Sequence, residues 1–219
     1  MNRHSLLHER VVRCSSAEVA EAAKVLENVY RSVNIALASE VEQILAPLDL
    51  PVQEVLDAAA TKPFGFAAFR PGAGVGGYCV PLAPALLLEA ARRAGVPAPL
   101  TQAAIDVNRG KAAWLVQRAR LAAGARRSAT GRPAPAGEDP LRGARVLVVG
   151  VAYKPGVAET HGSPGLRLLQ LLAAAGAQVA YHDPLVPHLP AARPPGVPEL
   201  ESVPAGMEAE YDAVVRAWG

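Results

Sequence analysis

The stretch Pro71 to Pro81, "PGAGVGGYCVP", puts four glycines and a cysteine into eleven residues of a chain with two cysteines. Glycines permit backbone turns and close approach by another group. A thiol just beyond them, at Cys79, is either a small buried hydrophobe or a nucleophile held where something can reach it. The glycines at 72, 74, 76 and 77 are either a plain bend or a cradle for a ligand. Lys24 and Asn28 are four residues apart, so they share a helix face. That face is either solvated or turned toward a site. Lys154, in "VVGVAYKPG", stands just past the C-terminal end of an apolar run. Ligands of open α/β sheets bind at that edge. Lys154 is thus a loop lysine or a phosphate contact, with the helix start at Ser163 as a second anion-favouring group. His182-Asp183-Pro184 reads as a turn. No GxGxxG turn follows Gly150, where Val151 and Ala152 come next, so the run announces no dinucleotide site. A Cys–His hydrolase finds no motif to support it, since no histidine lies near Cys79 in sequence.

The elements that must hold these residues follow from periodicity. Ser15 to Leu45 carries Val19, Ala22, Leu26, Tyr30, Val33, Leu37, Val41 and Ile44 at helical spacing, one apolar stripe on a long helix. Lys24 and Asn28 fall roughly opposite it. Ser15 and Glu18 have capping-box spacing. A second helix is expected from Asp49 to Thr61, a third over "PALLLEAARRA" up to Gly95, and a fourth from Thr101 to Ala122. The fourth carries Ile105, Trp114, Leu115, Arg118 and Leu121, with Gly110 weakening its middle. Residues 123–143 are rich in Gly, Pro and Ala and read as a linker. The pattern then changes. "RVLVVGVAY" is a buried strand. A helix follows, capped by Ser163, begun by Pro164 and ended by Gly176. "AQVAYHDP" is a second strand, and Tyr211–Val215 a third. Strand, helix, strand implies a parallel sheet. The organisation is a tail (1–14), a helical domain (15–122), a linker (123–143) and a small Rossmann-like α/β domain (144–219).

Composition bounds the rest. Hydrophobic residues are 51% and aromatics 5% of 219 residues, so Ala, Leu and Val must fill the core. The net charge of +2, with no dominant basic run, points away from nucleic acid and acidic membrane surfaces. The cysteines match no zinc spacing and make a poor disulfide framework. A reducing cytoplasm is expected. The N-terminal residues lack a signal peptide's apolar core, and no run is long enough to span a bilayer.

In their order, "AKVLENVYRSVNIALASE", "DAAATKPFGF", "PGAGVGGYCVP", "VLVVGVAYKPGVAETHGSP" and "GAQVAYHDPLVP" resemble the nucleotide-sugar dehydrogenases, the UDP-glucose and GDP-mannose dehydrogenase family. "ATKPFGF" looks most like the branch acting on UDP-N-acetylhexosamines. The resemblance implies oxidation of a sugar C6 alcohol to a carboxylate with two NAD⁺, in polysaccharide biosynthesis. Cys79 would attack the aldehyde formed first, giving a thiohemiacetal that is oxidised to a thioester and hydrolysed. Lys24 and Asn28 would stabilise the oxygen at C6, each such donor being worth on the order of 3 kcal/mol of barrier. Gly74, Val75, Gly76 and Gly77 would wrap the nucleotide sugar, and Lys154 would meet it from the C-terminal domain. His161 stands where the family has an NAD-contacting arginine. The long helix would be the core of a homodimer. Three family side chains are replaced, by Ala83, Ala158 and His161, and the family's N-terminal NAD domain is missing. The expectation is a truncated enzyme with little activity alone, and the alternatives are one half of a split enzyme or a non-catalytic binding and dimerisation module.

Overall fold

The structure is a computed structural model describing residues 11–218. Most of the expected tail, with His4 and His8, and also Gly219, lie outside the described residues. Four helices lead into a three-stranded parallel sheet. They are α1 (Ala17–Leu45), α2 (Val52–Ala60), α3 (Cys79–Ala94) and α4 (Pro99–Ala129). The α/β part holds β1 (Arg145–Val149), α5 (Pro164–Ala174), β2 (Gln178–His182) and β3 (Ala213–Arg216), in sheet order β2-β1-β3. Val146 is in register with Val179 on one side and Ala213 on the other. The expected class, a helical domain followed by a small parallel-sheet domain, is the observed one.

Helix α1 differs from expectation in its cap and in its buried face. Ser16, not Ser15, is the N-cap, accepting from the Val19 amide at 3.4 Å. Hydrogen bonding to Ser16 holds the Glu18 carboxyl below its usual range. The apolar stripe faces outward: Val19, Leu26, Tyr30, Leu37 and Ile44 are all exposed. The inward face is built from Asn28, Val29, Ser32, Ala36, Ala38 and Ser39. Small residues there let the backbones of α3 and α4 come close.

Two boundaries also move. Helix α3 begins at Cys79 rather than near Pro84. Pro81 fits a first turn, whose N–H groups have no helical partner, and the chain absorbs Pro84 one turn on. Helix α4 runs seven residues past the expected end at Ala122, so the linker begins after Ala129. Its second half belongs to the α/β core, and Ala123 is fully covered. The rest of the connection is tied down. Arg120 forks onto Asp139 at 2.8 and 2.9 Å, and Arg127 donates to the carbonyls of Pro140 and Arg142.

The α/β core is made by Val146 and Val148 on β1, Leu168, Leu169 and Leu172 on α5, and Tyr181 on β2. Tyr181 donates to the Val186 carbonyl at 2.9 Å, and burial pushes its phenol up to about 12. Helix α5 has the expected punctuation. Ser163 accepts from the Gly165 and Leu166 amides, Pro164 opens the helix, and Gly176 follows it. The third strand starts at Ala213, two residues later than expected. Asp212 is instead a tether, accepting from the Arg145 amide and from Arg132. Between α1 and α4 one charge is fully buried. The Lys111 ammonium meets Glu42 and lies 4.0 Å from the Trp114 ring centroid. Burial lowers its affinity for the proton.

Candidate active site

Cys79 is exposed and is the first residue of α3. Cys79 is therefore not the buried thiol that one reading of the sequence allowed. The loop before it owes its glycines to the protein's own packing. A Cβ at Gly76 would stand 2.7 Å from Pro164 Cδ and 3.0 Å from the Gly162 carbonyl oxygen. Gly77, at φ +74°, has the Tyr153 ring where a side chain would go. The loop is thus pressed onto the α/β half, and Cys79 is presented where the two halves meet.

A cleft of about 570 Å³ lies there. One wall is α1, through Glu27, Asn28, Arg31 and Ile35. The floor is the loop, with Gly74, Val75, Gly76, Gly77, Tyr78, Cys79 and Val80. The far wall is Tyr153, Lys154, Glu159 and His161 from the α/β half. Asn28 is 9% exposed and its amide donates to the Lys24 carbonyl at 3.2 Å. The Tyr78 and His161 rings stack across the junction, with centroids 4.0 Å apart and planes 3° from parallel. The His161 amide donates to Glu159 Oε1 at 2.7 Å. Lys154 rests its ammonium 5.3 Å from the centre of the Tyr153 ring.

Of the residues named from sequence, Cys79, Asn28, Gly74 to Gly77, Lys154 and His161 are brought together. Lys24 is not. Its ammonium is bonded to Glu27 at 3.0 Å on the exposed side of α1, and it does not line the cleft. The solvated-face reading therefore describes Lys24, and the cleft-facing one describes Asn28. Sequence reasoning missed Glu27, Arg31, Tyr78, Tyr153 and Glu159. Glu27 is three residues beyond Lys24 and Arg31 three beyond Asn28, so completing that helix face would have found them. Tyr78 and Tyr153 adjoin residues already singled out. Asp183 was read as a turn, and it is more than that. One carboxylate oxygen accepts from the Val151 and Ala152 amides, both at 2.9 Å, and the other from Leu185. It fixes the path that carries the chain from β1 to Lys154.

Residues 18–110 match the central domain of the UDP-glucose/GDP-mannose dehydrogenase family, and residues 147–218 match that family's UDP-binding domain. The chain belongs to this family. A UDP-N-acetyl-D-glucosamine 6-dehydrogenase from Pseudomonas aeruginosa is 32% identical over 94% of this chain and 45% of its own length. A UDP-N-acetyl-D-mannosamine dehydrogenase from Pyrococcus horikoshii is 33% identical over 78% of this chain and 38% of its own length. The solved structure of the UDP-D-ManNAc dehydrogenase from Pyrococcus horikoshii superposes with a TM-score of 0.66 at 28% identity, covering 91% of this chain and 41% of that one. The chain thus spans less than half the length of these relatives.

Enzymes of this family are NAD-dependent dehydrogenases, and their NAD domain lies outside the matched regions. The turn after β1 does not fit that cofactor. β1 leads into Gly150-Val151-Ala152 without the glycine turn a dinucleotide needs. The two amides that could meet a phosphate there already donate to Asp183. Among the described residues, no helix is long and apolar enough to cross a membrane.

Proposed function

We propose that this chain carries the nucleotide-sugar site and the nucleophile of a nucleotide-sugar 6-dehydrogenase. The observation behind the reading is that Cys79, Asn28 and Lys154 line one cleft between a central and a UDP-binding domain. Cys79 adds to a C6 aldehyde. The Sγ–C6 bond forms, the aldehyde oxygen takes up the proton, and a thiohemiacetal results. The Asn28 amide donates to that oxygen as it gains charge. Lys154 offers a positive charge to the nucleotide part. Both oxidations need a hydride acceptor, and the part of the chemistry proposed for these residues is binding and covalent capture. The UDP-N-acetylhexosamines are the favoured substrates, since "ATKPFGF" and the names of the two relatives point the same way. The outward stripe of α1, with Leu26 65% and Leu37 58% exposed, supports a homodimer joined through that helix.

Alkylation tests the site. Iodoacetamide is expected to label Cys79, and saturating UDP-N-acetylglucosamine to protect it while Cys14 stays reactive. Equal labelling of both thiols, unchanged by the sugar nucleotide, would count against the reading. With NAD⁺ added, this chain is expected to give no NADH, and robust NADH formation would overturn the assignment of its share of the reaction.

A further inference from the structure

A thioester on Cys79 is cleaved by water, which needs a proton acceptor beside it, and the helix that carries the thiol supplies none. The turn after Cys79, from Val80 to Ala83, has no titratable side chain, and Ala83 is buried. The acceptor has to come from another wall of the cleft. Of its two carboxylates, Glu27 holds Lys24 at 3.0 Å and Glu159 holds the His161 amide at 2.7 Å. A base works best when its pKa lies near the operating pH, which favours imidazole over a carboxylate at neutrality. The described histidines are His161, His182 and His188, and of these His161 lines the cleft. His182 is engaged with the Val203 carbonyl at 2.7 Å, and His188 lies 3.6 Å from Glu201. The His161 side chain is exposed, and among the described residues neither ring nitrogen has a hydrogen-bond partner. Its face is fixed against Tyr78, the residue bonded to Cys79. Stacking holds a ring by its faces and leaves the nitrogens at its edge free to act. The charges around it are Glu27 and Arg31 from α1, Lys154 and Glu159 from the loop after β1 and, on a second cavity that His161 also lines, Arg167 and Arg193.

We propose that His161 is the general base that hydrolyses the Cys79 thioester. It takes a proton from water as the water oxygen bonds to C6. The C6–Sγ bond then breaks, and the departing sulfur takes the proton from the imidazolium. The products are the C6 carboxylic acid and the restored thiol. The proposal rests on the reading of Cys79 as the nucleophile, and adds a catalytic residue to it.

The test uses the whole chain carrying Cys14→Ser as parent. Cys79 is acetylated with p-nitrophenyl acetate and excess reagent is removed. Loss of the acetyl group from Cys79 is followed by peptide mass spectrometry, with release of free acetate as the sign of hydrolysis. In the parent the rate is expected to rise with pH across the range in which imidazole loses its proton, about pH 5 to 8. His161→Phe keeps a ring for Tyr78 and loses the base. It is expected to slow hydrolysis about a hundredfold or more and to flatten the profile over that range. His161→Ala is expected to be as slow, with added imidazole restoring part of the rate. Circular dichroism checks folding, and if His161→Phe fails to fold, His161→Gln decides. Equal hydrolysis by the parent and the folded His161→Phe chain overturns the base. The reading of the site still stands in that case if UDP-N-acetylglucosamine protects Cys79 of the parent from iodoacetamide. A slowed His161→Ala beside an unslowed His161→Phe also overturns the base, since the ring then acts by stacking alone. A Cys79 that is neither acetylated nor protected overturns both.

Discussion

On the inner faces of the α/β half the large apolar side chains are covered completely: Leu168, Leu169 and Leu172 on α5, Val146 and Val148 on β1. On α1, in the helical half, Leu26, Tyr30, Leu37 and Ile44 are exposed, and the covered face is Ser, Ala and Asn around Val29. The α/β half closes its core with its own chain and borrows Ala112, Val116, Ala119 and Ala123 from α4. The helical half uses small residues to bring three helices together and points its bulk at solvent. The lesson is that apolar periodicity marks a face of a helix without saying that the same chain covers it.

The comparison can be broken most directly at Lys111. Glu42→Gln leaves a fully buried ammonium with no carboxylate, and should cost about 3 kcal/mol in urea unfolding. Lys111→Met should cost much less, because Glu42 is partly exposed and can turn to water. Burial lowers the Lys111 pKa below its ordinary 10.5, so the folded state binds the proton less readily than the unfolded state. The penalty of its charge is therefore full at neutral pH and is relieved as pH rises from the lowered value toward 10.5. Wild type should gain on Lys111→Met across that alkaline window, and a flat difference would contradict the burial.

Next in size is a paired truncation. Leu168→Ala, from a fully covered site, should cost about 2–5 kcal/mol. Leu26→Ala, from a site 65% exposed, should change unfolding of a dilute monomer by about 0.5 kcal/mol or less. Sedimentation at rising concentration then sharpens the contrast. Leu26→Glu should abolish self-association, and a wild-type chain that stays monomeric throughout would remove the case for a partner copy on that stripe.

Gly76→Ala tests the contact between the halves. The added methyl meets Pro164 and the Gly162 carbonyl, so about 1–3 kcal/mol of stability should be lost. An unchanged urea midpoint would mean that the loop is not pressed onto α5. The smallest contrast is between caps. Ser163→Ala should cost about 1 kcal/mol, because Ser163 is buried and accepts from two amides. Ser16→Ala should cost less, since its one contact is a 3.4 Å bond in solvent.

Much of the fold was legible because local signals and packing agree. Ser163, Pro164 and Gly176 bracket α5 as their chemistry requires, and the apolar run of β1 is buried on both faces. The start of α3 was hidden because Pro81 and Pro84 look like breakers when the turn they sit in is not known. The end of α4 was hidden because "AGARRSA" has no apolar period, and its burial at Ala123 comes from a sheet far along the chain. At the site, Cys79 and Asn28 were found by type and spacing. Lys24 was misplaced because helical spacing gives a face and not the direction a long side chain takes on it. Arg31 was missed because the reading of that helix face stopped at Asn28.

Helix α4, 31 residues and so about 46 Å from end to end, is floor to one half and wall to the other. A protease or an engineer seeking the two halves as separate pieces has no clean place to cut between them. Severing at the old composition break near residue 122 would strip Ala112, Val116 and Ala119 from the sheet side and leave a raw apolar edge. Any separable unit has to keep the whole rod, so the cleft and the bar beneath it are inherited together or lost together.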